Sequence, residues 1–264
     1  MEAPPTPAEL QELLGVAVEA ARAGGRRALE DFGREIPIET KPDGSPVTRA
    51  DRASEEVIRE RIRARFPDHA ILGEEGGASP GDHWVTWILD PIDGTKSFVR
   101  GVPMWGVLVG VEVAGAPVIG VAFLPALGEL VEAAQGLGAR WNGRPARVSS
   151  IDDLGQATLL TTSVRAIEQR DVPFRRLIDA TGLQRGWGDC YGHVLVATGR
   201  ADVMLDPHVS VWDNAPFLPI LREAGGRFTD WRGTETIHGA DSVSTNGRLH
   251  ERVLELLSGA SPVR

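Results

Sequence analysis

The chain has 264 residues, of which 42% are apolar and 25% charged, and its formal net charge is −9. This composition is typical of a globular protein of one large or two smaller domains, and no apolar run approaches the roughly 20 residues that span a bilayer. Lysine and arginine do not cluster among aromatic residues, so we expect neither a nucleic-acid partner nor a membrane partner. The N-terminus lacks a secretory signal, and the lone Cys190 excludes an internal disulfide, so we expect a cytoplasmic protein.

The first half of the chain predicts two helices and several strands. A capping box from Thr6 to Glu9 opens a helix that should reach about Phe32, and a second helix should begin near Thr48. The predicted strands lie at 36–40, 70–72, 84–89, 105–113, 117–123, 130–134 and 139–141.

Residues 149–156 are short and polar, and they predict a domain boundary between residues 1–149 and residues 150–264. Pro216 and Pro219 lie in a predicted helix at 213–224, where Pro219 should kink or shorten it. The other predicted elements after the boundary are strands at 158–161, 201–205, near 227 and near 241, and helices at 173–181 and after 192. Helices and strands in this irregular alternation favour mixed sheets layered with helices over a barrel.

The segment from Asp90 to Thr95, with the sequence DPIDGT, carries the strongest functional signal. It places two carboxylates three residues apart at the end of an apolar strand, just before a predicted helix start. Carboxylates at such a turn can hold a hard cation, and the free N–H groups of a helix start favour a phosphate. The segment therefore favours a metal-dependent phosphatase.

Three further acidic segments have both a structural and a functional interpretation. Asp51 and Asp213 fit helix starts, where carboxylates are favourable, and Glu74 and Glu75 fit a solvated loop. All three segments nevertheless lie at strand ends or helix starts, where an α/β scaffold gathers a site. Their combination with Asp90–Thr95 favours one carboxylate-rich centre.

These segments resemble the two signatures of the inositol monophosphatase superfamily. The matching runs are 73–75, 87–98, 212–213 and 223–226, and the resemblance covers about residues 8–250. It implies a layered αβαβα sandwich with mixed, largely antiparallel sheets. It also implies a homodimeric, Mg²⁺-dependent phosphomonoesterase with two or three metal ions in each active site.

The resemblance further implies a metal-binding role for each matching acidic residue. Glu74, Asp90 and the carbonyl of Ile92 would hold one metal, and Asp90, Asp93 and Asp213 would hold a second. Such a set needs no histidine or cysteine, because Mg²⁺ prefers oxygen ligands.

Catalytic roles are implied in the same way. Glu74 and Thr95 would orient and deprotonate the attacking water, Asp51 would accept a hydrogen bond from Thr95, and the N–H groups of Gly94 and Thr95 would bind the phosphate. Ile92, Asp93 and Asp213 would also face the substrate.

The region from Arg185 to Tyr191 should select the substrate. It resembles the bacterial histidinol-phosphatase branch, as do residues 98–103 and 209–213. Histidinol phosphate carries an ammonium and an imidazole, which Asp189 and Asp206 could pair with while Trp187 or Tyr191 stacks on a ring. The expected substrate-contacting residues here are Arg185, Trp187, Gly188, Asp189 and Asp206.

Several alternatives remain open at this point. Trp187 and Tyr191 could instead pack under the loop, and His193 and His208 fit packing or surface roles better than metal ligation. The substrate could be inositol monophosphate, a nucleotide 3′-phosphate or a sugar phosphate. A non-catalytic, metal-binding regulatory protein is a more remote alternative.

Overall fold

The computed structural model describes residues 4–81, 84–170 and 172–258. Helix α1 (Pro7–Leu29) begins at the predicted capping box: the Thr6 side chain accepts the N–H of Glu9, and the Glu9 carboxylate accepts the N–H of Thr6. Helix α2 (Arg49–Arg65) begins at a second capping box. Between the two helices, β1 (Ile38–Thr40) and β2 (Pro46–Thr48) form an antiparallel ribbon.

An eight-stranded sheet follows. Its strands are β3 (Ala70–Gly73), β4 (Gly77–Ser79), β5 (Val85–Asp93), β6 (Gly106–Val113), β7 (Ala116–Leu124), β8 (Glu129–Ala134), β9 (Gly138–Trp141) and β10 (Arg144–Pro145). Their order is β10-β9-β8-β7-β6-β5-β3-β4, and every neighbouring pair is antiparallel except β3 and β5. The predicted strands of this half are therefore present, with boundaries that differ by a few residues.

A five-stranded sheet is built from the second half of the chain. Its strands are β11 (Thr158–Thr161), β12 (Leu183–Arg185), β13 (Val203–Asp206), β14 (Arg227–Thr229) and β15 (Ser242–Thr245). Their order is β12-β11-β13-β15-β14, with β11 parallel to both of its neighbours and β15 antiparallel to both of its own.

Helices form the other layers of the molecule. The remaining ones are α3 (Thr95–Phe98), α4 (Val164–Glu168), α5 (Phe174–Ala180), α6 (Asp189–Ala197), α7 (Val211–Asn214), α8 (Phe217–Glu223) and α9 (His250–Ser258), with a 3-10 helix at Leu154–Gln156. Helices α1 and α2 cover the large sheet, α6 and α8 lie between the sheets, and α5 and α9 cover the small sheet. This is the expected αβαβα sandwich, and in the described ranges no helix is long and apolar enough to cross a bilayer.

The central strands of the eight-stranded and the five-stranded sheet are apolar and buried on both faces. In β6, Val107 and Val109 point to the core under α1 and α2, while Leu108 points to the core between the sheets. In β13, Met204 faces that same inner core, whereas Val203 faces α5 and α9. Because successive strand residues point to opposite faces, such strands need a helical layer on each side.

The predicted boundary at 149–156 separates the segments that build the two sheets. The core between them nevertheless contains residues from both segments, for example Leu108 and Met204. The division into domains at residues 149 and 150 therefore stays a prediction.

The helix predicted at 213–224 is interrupted, but the interruption does not lie at Pro219. Helix α7 ends at Asn214 and α8 begins after Pro216. Pro219 therefore lies in the first turn of α8, where a missing N–H breaks no helical hydrogen bond. Helix α6 also differs from expectation, since it begins at Asp189 and not after Gly192.

The α7–α8 junction packs directly on β6 and β7, where two glycines make room for it. A Cβ at Gly110 would lie 2.5 Å from the Cβ of Ala215, and a Cβ at Gly120 would lie 1.9 Å from the carbonyl oxygen of Pro216. Both distances are too short for real atoms, so these glycines set how closely the junction, and Asp213 just before it, approaches the sheet.

We expect Gly120→Ala to lower the free energy of unfolding by about 1–3 kcal/mol, because the added methyl group must push the junction away from the sheet. Thermal or urea denaturation measures this change. Gly15→Ala is the matched control, because Gly15 is exposed within α1 and a Cβ there meets no atom within 4 Å. The free energy of unfolding of this variant should be unchanged or rise by about 0.5–1 kcal/mol. Equal stability of the Gly120→Ala variant and the wild type would contradict the packing argument.

Candidate active site

The segment from Asp90 to Thr95 forms the irregular end of β5. The pairing register with β6 shifts between Asp90 and Asp93, and Asp90 Oδ1 accepts the N–H of Ile92 at 2.9 Å. Gly94 then adopts a φ of 85°, a left-handed conformation that favours glycine, and α3 starts at Thr95. This bulge and turn bring Asp90 and Asp93 to the same side of the strand end.

Asp213 completes a cluster of three carboxylates. One oxygen each from Asp90, Asp93 and Asp213 lies within 4.8 Å of the other two. Asp213 lies in the first turn of α7, where its Oδ2 accepts the N–H of Ser210 at 2.7 Å. Asp93 accepts the N–H of Cys190 at the start of α6. The end of β5 and the first turns of α6 and α7 therefore meet at this cluster.

Glu74 lies beside the cluster, on the turn that follows β3. Its N–H donates to the carbonyl of Leu89 at 3.1 Å, which ties this turn to β5. The Nζ of Lys41, from the turn between β1 and β2, lies 2.6 Å from a carboxylate oxygen of Glu74 and 2.6 Å from one of Glu75. Burial alone would lower the pKa of Lys41, but its hydrogen bonds to Glu74 and Glu75 outweigh burial and raise it.

Asp51 serves both as a helix cap and as a neighbour of Thr95. Its Oδ2 accepts the N–H and the hydroxyl of Thr48 at 2.8 and 2.7 Å, while its Oδ1 lies 3.4 Å from Thr95 Oγ1. Thr95 Oγ1 also lies 3.0 Å from the carbonyl oxygen of Ile92. A hydroxyl carries one proton, so these two acceptors compete for it.

The electrostatics of the cluster favour bound positive charge. Burial, followed by the charge of Glu74, raises the pKa of Asp90 well above its ordinary value, and burial with the charge of Asp189 does the same for Asp93. Burial also raises the pKa of Asp213 to about 7. Closely spaced, buried carboxylates repel one another unless a proton or cation lies between them. These oxygen donors therefore fit a hard divalent metal ion.

An open cavity of about 350 Å³ lies in front of the cluster. Glu74, Asp93, Thr95 and Asp213 line it together with Gly94, whereas the buried Asp51, Asp90 and Ile92 lie behind this lining. Other lining residues, which the sequence did not single out as site residues, are Asp43, Ser45, Pro46, Lys96, Val209, Ser210 and Trp212.

Asp189 also lines this cavity. It begins α6 with a φ of 51°, and its N–H donates to Thr162 Oγ1 at 2.9 Å. A Cβ at Gly94 would lie 3.4 Å from Asp189 Oδ2, so this carboxylate approaches the DPIDGT turn. Burial raises the pKa of Asp189, although the charge of Lys96 opposes that effect.

Four more residues that were expected to contact the substrate do not line the cavity, namely Arg185, Trp187, Gly188 and Asp206. Trp187 is 39% exposed, and the Arg185 guanidinium lies 6.0 Å from the centre of its ring. Gly188 is buried against Thr162, and the buried Asp206 accepts the Thr162 hydroxyl at 2.9 Å. Substrate contacts by these residues stay predictions.

The histidines and the cysteine have distinct surroundings. His193 is buried, stacks on Phe217 at 4.7 Å and lies 2.7 Å from Ser244 Oγ, whereas His208 is exposed at the cavity. Burial, followed by the charge of Asp93, raises the pKa of the Cys190 thiol well above its ordinary value. A thiol so buried is inert at neutral pH.

Lys41 is the main residue that sequence reasoning missed. It lies in the turn between β1 and β2, yet it pairs with carboxylates more than thirty residues away. The two acidic residues at Glu74 and Glu75 were a signal that a cation should lie nearby. Their sequence did not show which cation, because the pairing depends on the β1–β2 ribbon folding over the end of β3.

Comparison with known proteins agrees with this geometry. The model of the inositol monophosphatase family matches residues 9–261. A histidinol-phosphatase of Chlorobaculum parvum is 44% identical over 91% of this chain and 95% of its own, and one of Mycobacterium tuberculosis is 42% identical over 85% and 89%. The solved structure of an IMPase from Thermotoga maritima superimposes with a TM-score of 0.86 at 31% identity, over 94% of this chain and 97% of its own. The chain therefore belongs to the inositol monophosphatase family, a family of metal-dependent phosphoric monoester hydrolases.

Proposed function

We propose that this enzyme hydrolyses L-histidinol phosphate to L-histidinol and phosphate, as a step of histidine biosynthesis. The observation that carries the proposal is the cluster of Asp90, Asp93 and Asp213 at a cavity whose side also holds the carboxylate of Asp189. The similarity to two histidinol-phosphatases over most of the chain supports the choice of substrate.

We propose two or three Mg²⁺ ions in each active site. Glu74, Asp90 and the carbonyl of Ile92 would hold one ion, and Asp90, Asp93 and Asp213 would hold another. When bound, these ions lower the pKa of the attacking water and offset the charge of the phosphoryl oxygens. The choice of Mg²⁺ rests on the oxygen-only donor set.

The chain's own groups would orient the reacting water and the phosphate. Asp51 would accept a hydrogen bond from the Thr95 hydroxyl, which leaves the Thr95 oxygen free to accept a hydrogen bond from the water. Burial raises the pKa of Glu74, so its carboxylate is a better proton acceptor near neutral pH than an exposed one. The N–H groups of Gly94 and Thr95 would donate to the phosphate oxygens.

The amino-alcohol end of the substrate would lie beside Asp189. This carboxylate lines the cavity and can pair with the ammonium or a protonated imidazole. Asp206 lies behind Thr162, and a contact with Trp187 or Arg185 would require the substrate to extend beyond the cavity. Asp189 is therefore the best supported of the proposed specificity residues.

Inositol monophosphate is the principal alternative substrate, supported by the likeness to the Thermotoga maritima IMPase. The carboxylate of Asp189 in the cavity favours histidinol phosphate, because it can pair with a cationic group, which a polyol lacks. A non-catalytic regulatory role is not favoured, because Glu74, Asp90, Asp93, Thr95 and Asp213 are all present and close together.

A cytoplasmic location and a homodimer belong to the same proposal. The buried, unpaired thiol of Cys190 suits a reducing compartment. Light scattering of the purified protein tests the dimer directly.

The substrate is tested by steady-state rates with L-histidinol phosphate, inositol 1-phosphate, a nucleotide 3′-phosphate and a sugar phosphate. We expect the highest kcat/KM with histidinol phosphate. Asp189→Asn should lower that value roughly ten- to a hundredfold, as expected for loss of a hydrogen bond to a charged group, and should spare the rate with inositol 1-phosphate. The exposed Asp152→Asn is the control. If the enzyme turned over histidinol phosphate no faster than inositol 1-phosphate, the substrate assignment would be refuted.

Asp93→Asn should lower kcat by about two orders of magnitude or more at saturating Mg²⁺, because it removes one negative charge from the site that stabilises the reaction. Steady-state kinetics measure the effect, with Asp152→Asn again as the matched control. A near-normal kcat for the Asp93 variant would remove this residue from the site.

The cluster should also make metal-free stability depend on pH. Asp213 has a pKa of about 7 in the fold against an ordinary value of 3.8, so between these values the folded chain binds a proton that the unfolded chain has lost. The stability contributed by that proton is present below pH 4 and lost as the pH rises to about 7.

Thermal denaturation in EDTA should therefore show a melting temperature that falls more steeply from pH 5 to pH 8 in the wild type than in Asp213→Asn. Added Mg²⁺ should flatten the wild-type curve, since the cation replaces the proton. Identical pH dependence in the two proteins would show that Asp213 does not titrate in this range.

A further inference from the structure

Glu55 and Arg59 form an ion pair in the interior, one turn apart on α2. The two residues are only 2% and 8% exposed, and Arg59 Nε lies 2.6 Å from Glu55 Oε1. Burying two charges costs solvation free energy that their attraction often fails to recover, so such a pair is weak evidence for stability. Its placement therefore calls for another explanation.

The pair binds the backbone of the turn that carries Glu74. Glu55 Oε2 accepts the N–H of Glu75 at 2.8 Å, and Glu55 Oε1 accepts the N–H of Gly76 at 2.9 Å. The Arg59 guanidinium donates to the carbonyl of Gly77 and, at 3.0 Å, to the hydroxyl of Ser79 on β4. The pair thus contacts each of the three residues that follow Glu74.

Glycines on both sides of the two glutamates allow this close approach. A Cβ at Gly73 would lie 2.3 Å from Glu55 Oε1, and a Cβ at Gly76 would lie 2.6 Å from the same oxygen. Neither glycine has a positive φ, so the backbone conformation alone does not require glycine at these positions. Glycine is required there because the Glu55 carboxylate occupies the space that a Cβ would need.

Helix α2 links this turn to the DPIDGT segment. Asp51, one helical turn before Glu55, approaches the Thr95 hydroxyl, and Glu55 approaches the turn of Glu74. Lys41 pairs with the side chains of both Glu74 and Glu75. The backbone and the side chains of this turn are therefore held by different groups.

We propose that Glu55 and Arg59 are positioning residues, which fix the backbone of residues 74–77 so that the Glu74 carboxylate is held toward Asp90. This inference rests on the proposed function, because it takes Glu74 as a metal ligand. Residues that orient metal ligands through hydrogen bonds commonly change metal affinity 10- to 100-fold when they are replaced. The pair should therefore influence metal binding without touching metal or substrate.

The test is titration of the metal-free enzyme with Mg²⁺ by calorimetry, together with steady-state kinetics. Glu55→Gln should weaken metal binding by about 10- to 100-fold, and it should leave KM for the phosphate ester nearly unchanged once Mg²⁺ is saturating. Arg59→Lys should have an intermediate effect, because an ammonium keeps the charge but lacks the planar set of donors. The exposed Glu56→Gln, on the same helix, should bind metal like the wild type.

Gly76→Ala supplies a second, independent variant if Glu55→Gln fails to fold, since its methyl group would displace the Glu55 carboxylate. Metal binding should weaken in it as well. A lower melting temperature with unchanged metal affinity in the variants that fold would show a purely structural pair and overturn the inference. Glu74→Gln separates the two proposals: weaker metal binding there keeps Glu74 as a ligand, whereas unchanged binding would refute the role of Glu74 and this inference with it.

Discussion

Repulsion among three closely spaced carboxylates, one buried and two half-buried, is the constraint on which the rest of the structure depends. The fold brings oxygens of Asp90, Asp93 and Asp213 within 4.8 Å of one another, and burial raises the pKa of all three carboxyls. Such an arrangement is unfavourable without compensating charge. Backbone N–H groups at Ser210 and Cys190 supply part of it, and a divalent cation would supply the rest.

Rigid elements hold this repulsive arrangement in place. Asp90 and Asp93 lie at the bulged end of a strand with helices packed on both faces of its sheet, and Asp213 belongs to a helix whose junction with α8 is pressed against Gly110 and Gly120. Glu74 sits on a turn tied to β5 and held by the Glu55–Arg59 pair. These supports keep the carboxylates from moving apart. Their mutual repulsion therefore favours the binding of a metal ion.

In the proposed function, the residues for phosphate hydrolysis and the residue for substrate choice lie in different parts of the chain. Every proposed metal ligand except Asp213 lies before residue 94, on the large sheet or its flanking turns. Asp189, by contrast, begins the helix between the sheets and lines the cavity. The two parts meet where the Cys190 N–H at the start of α6 donates to Asp93.

The sequence by itself determined the layered α/β architecture, the capped start of α1, the start of α2 near Thr48 and the acidic motif. These follow from local periodicity, capping residues and carboxylates close together in the chain. It could not place Pro219 harmlessly within α8, pair Lys41 with Glu74, or separate Asp189 at the cavity from Trp187 outside it. Those outcomes were decided by the tertiary structure. They depend on distances between residues far apart in the chain, which only the packing of sheets and helices sets.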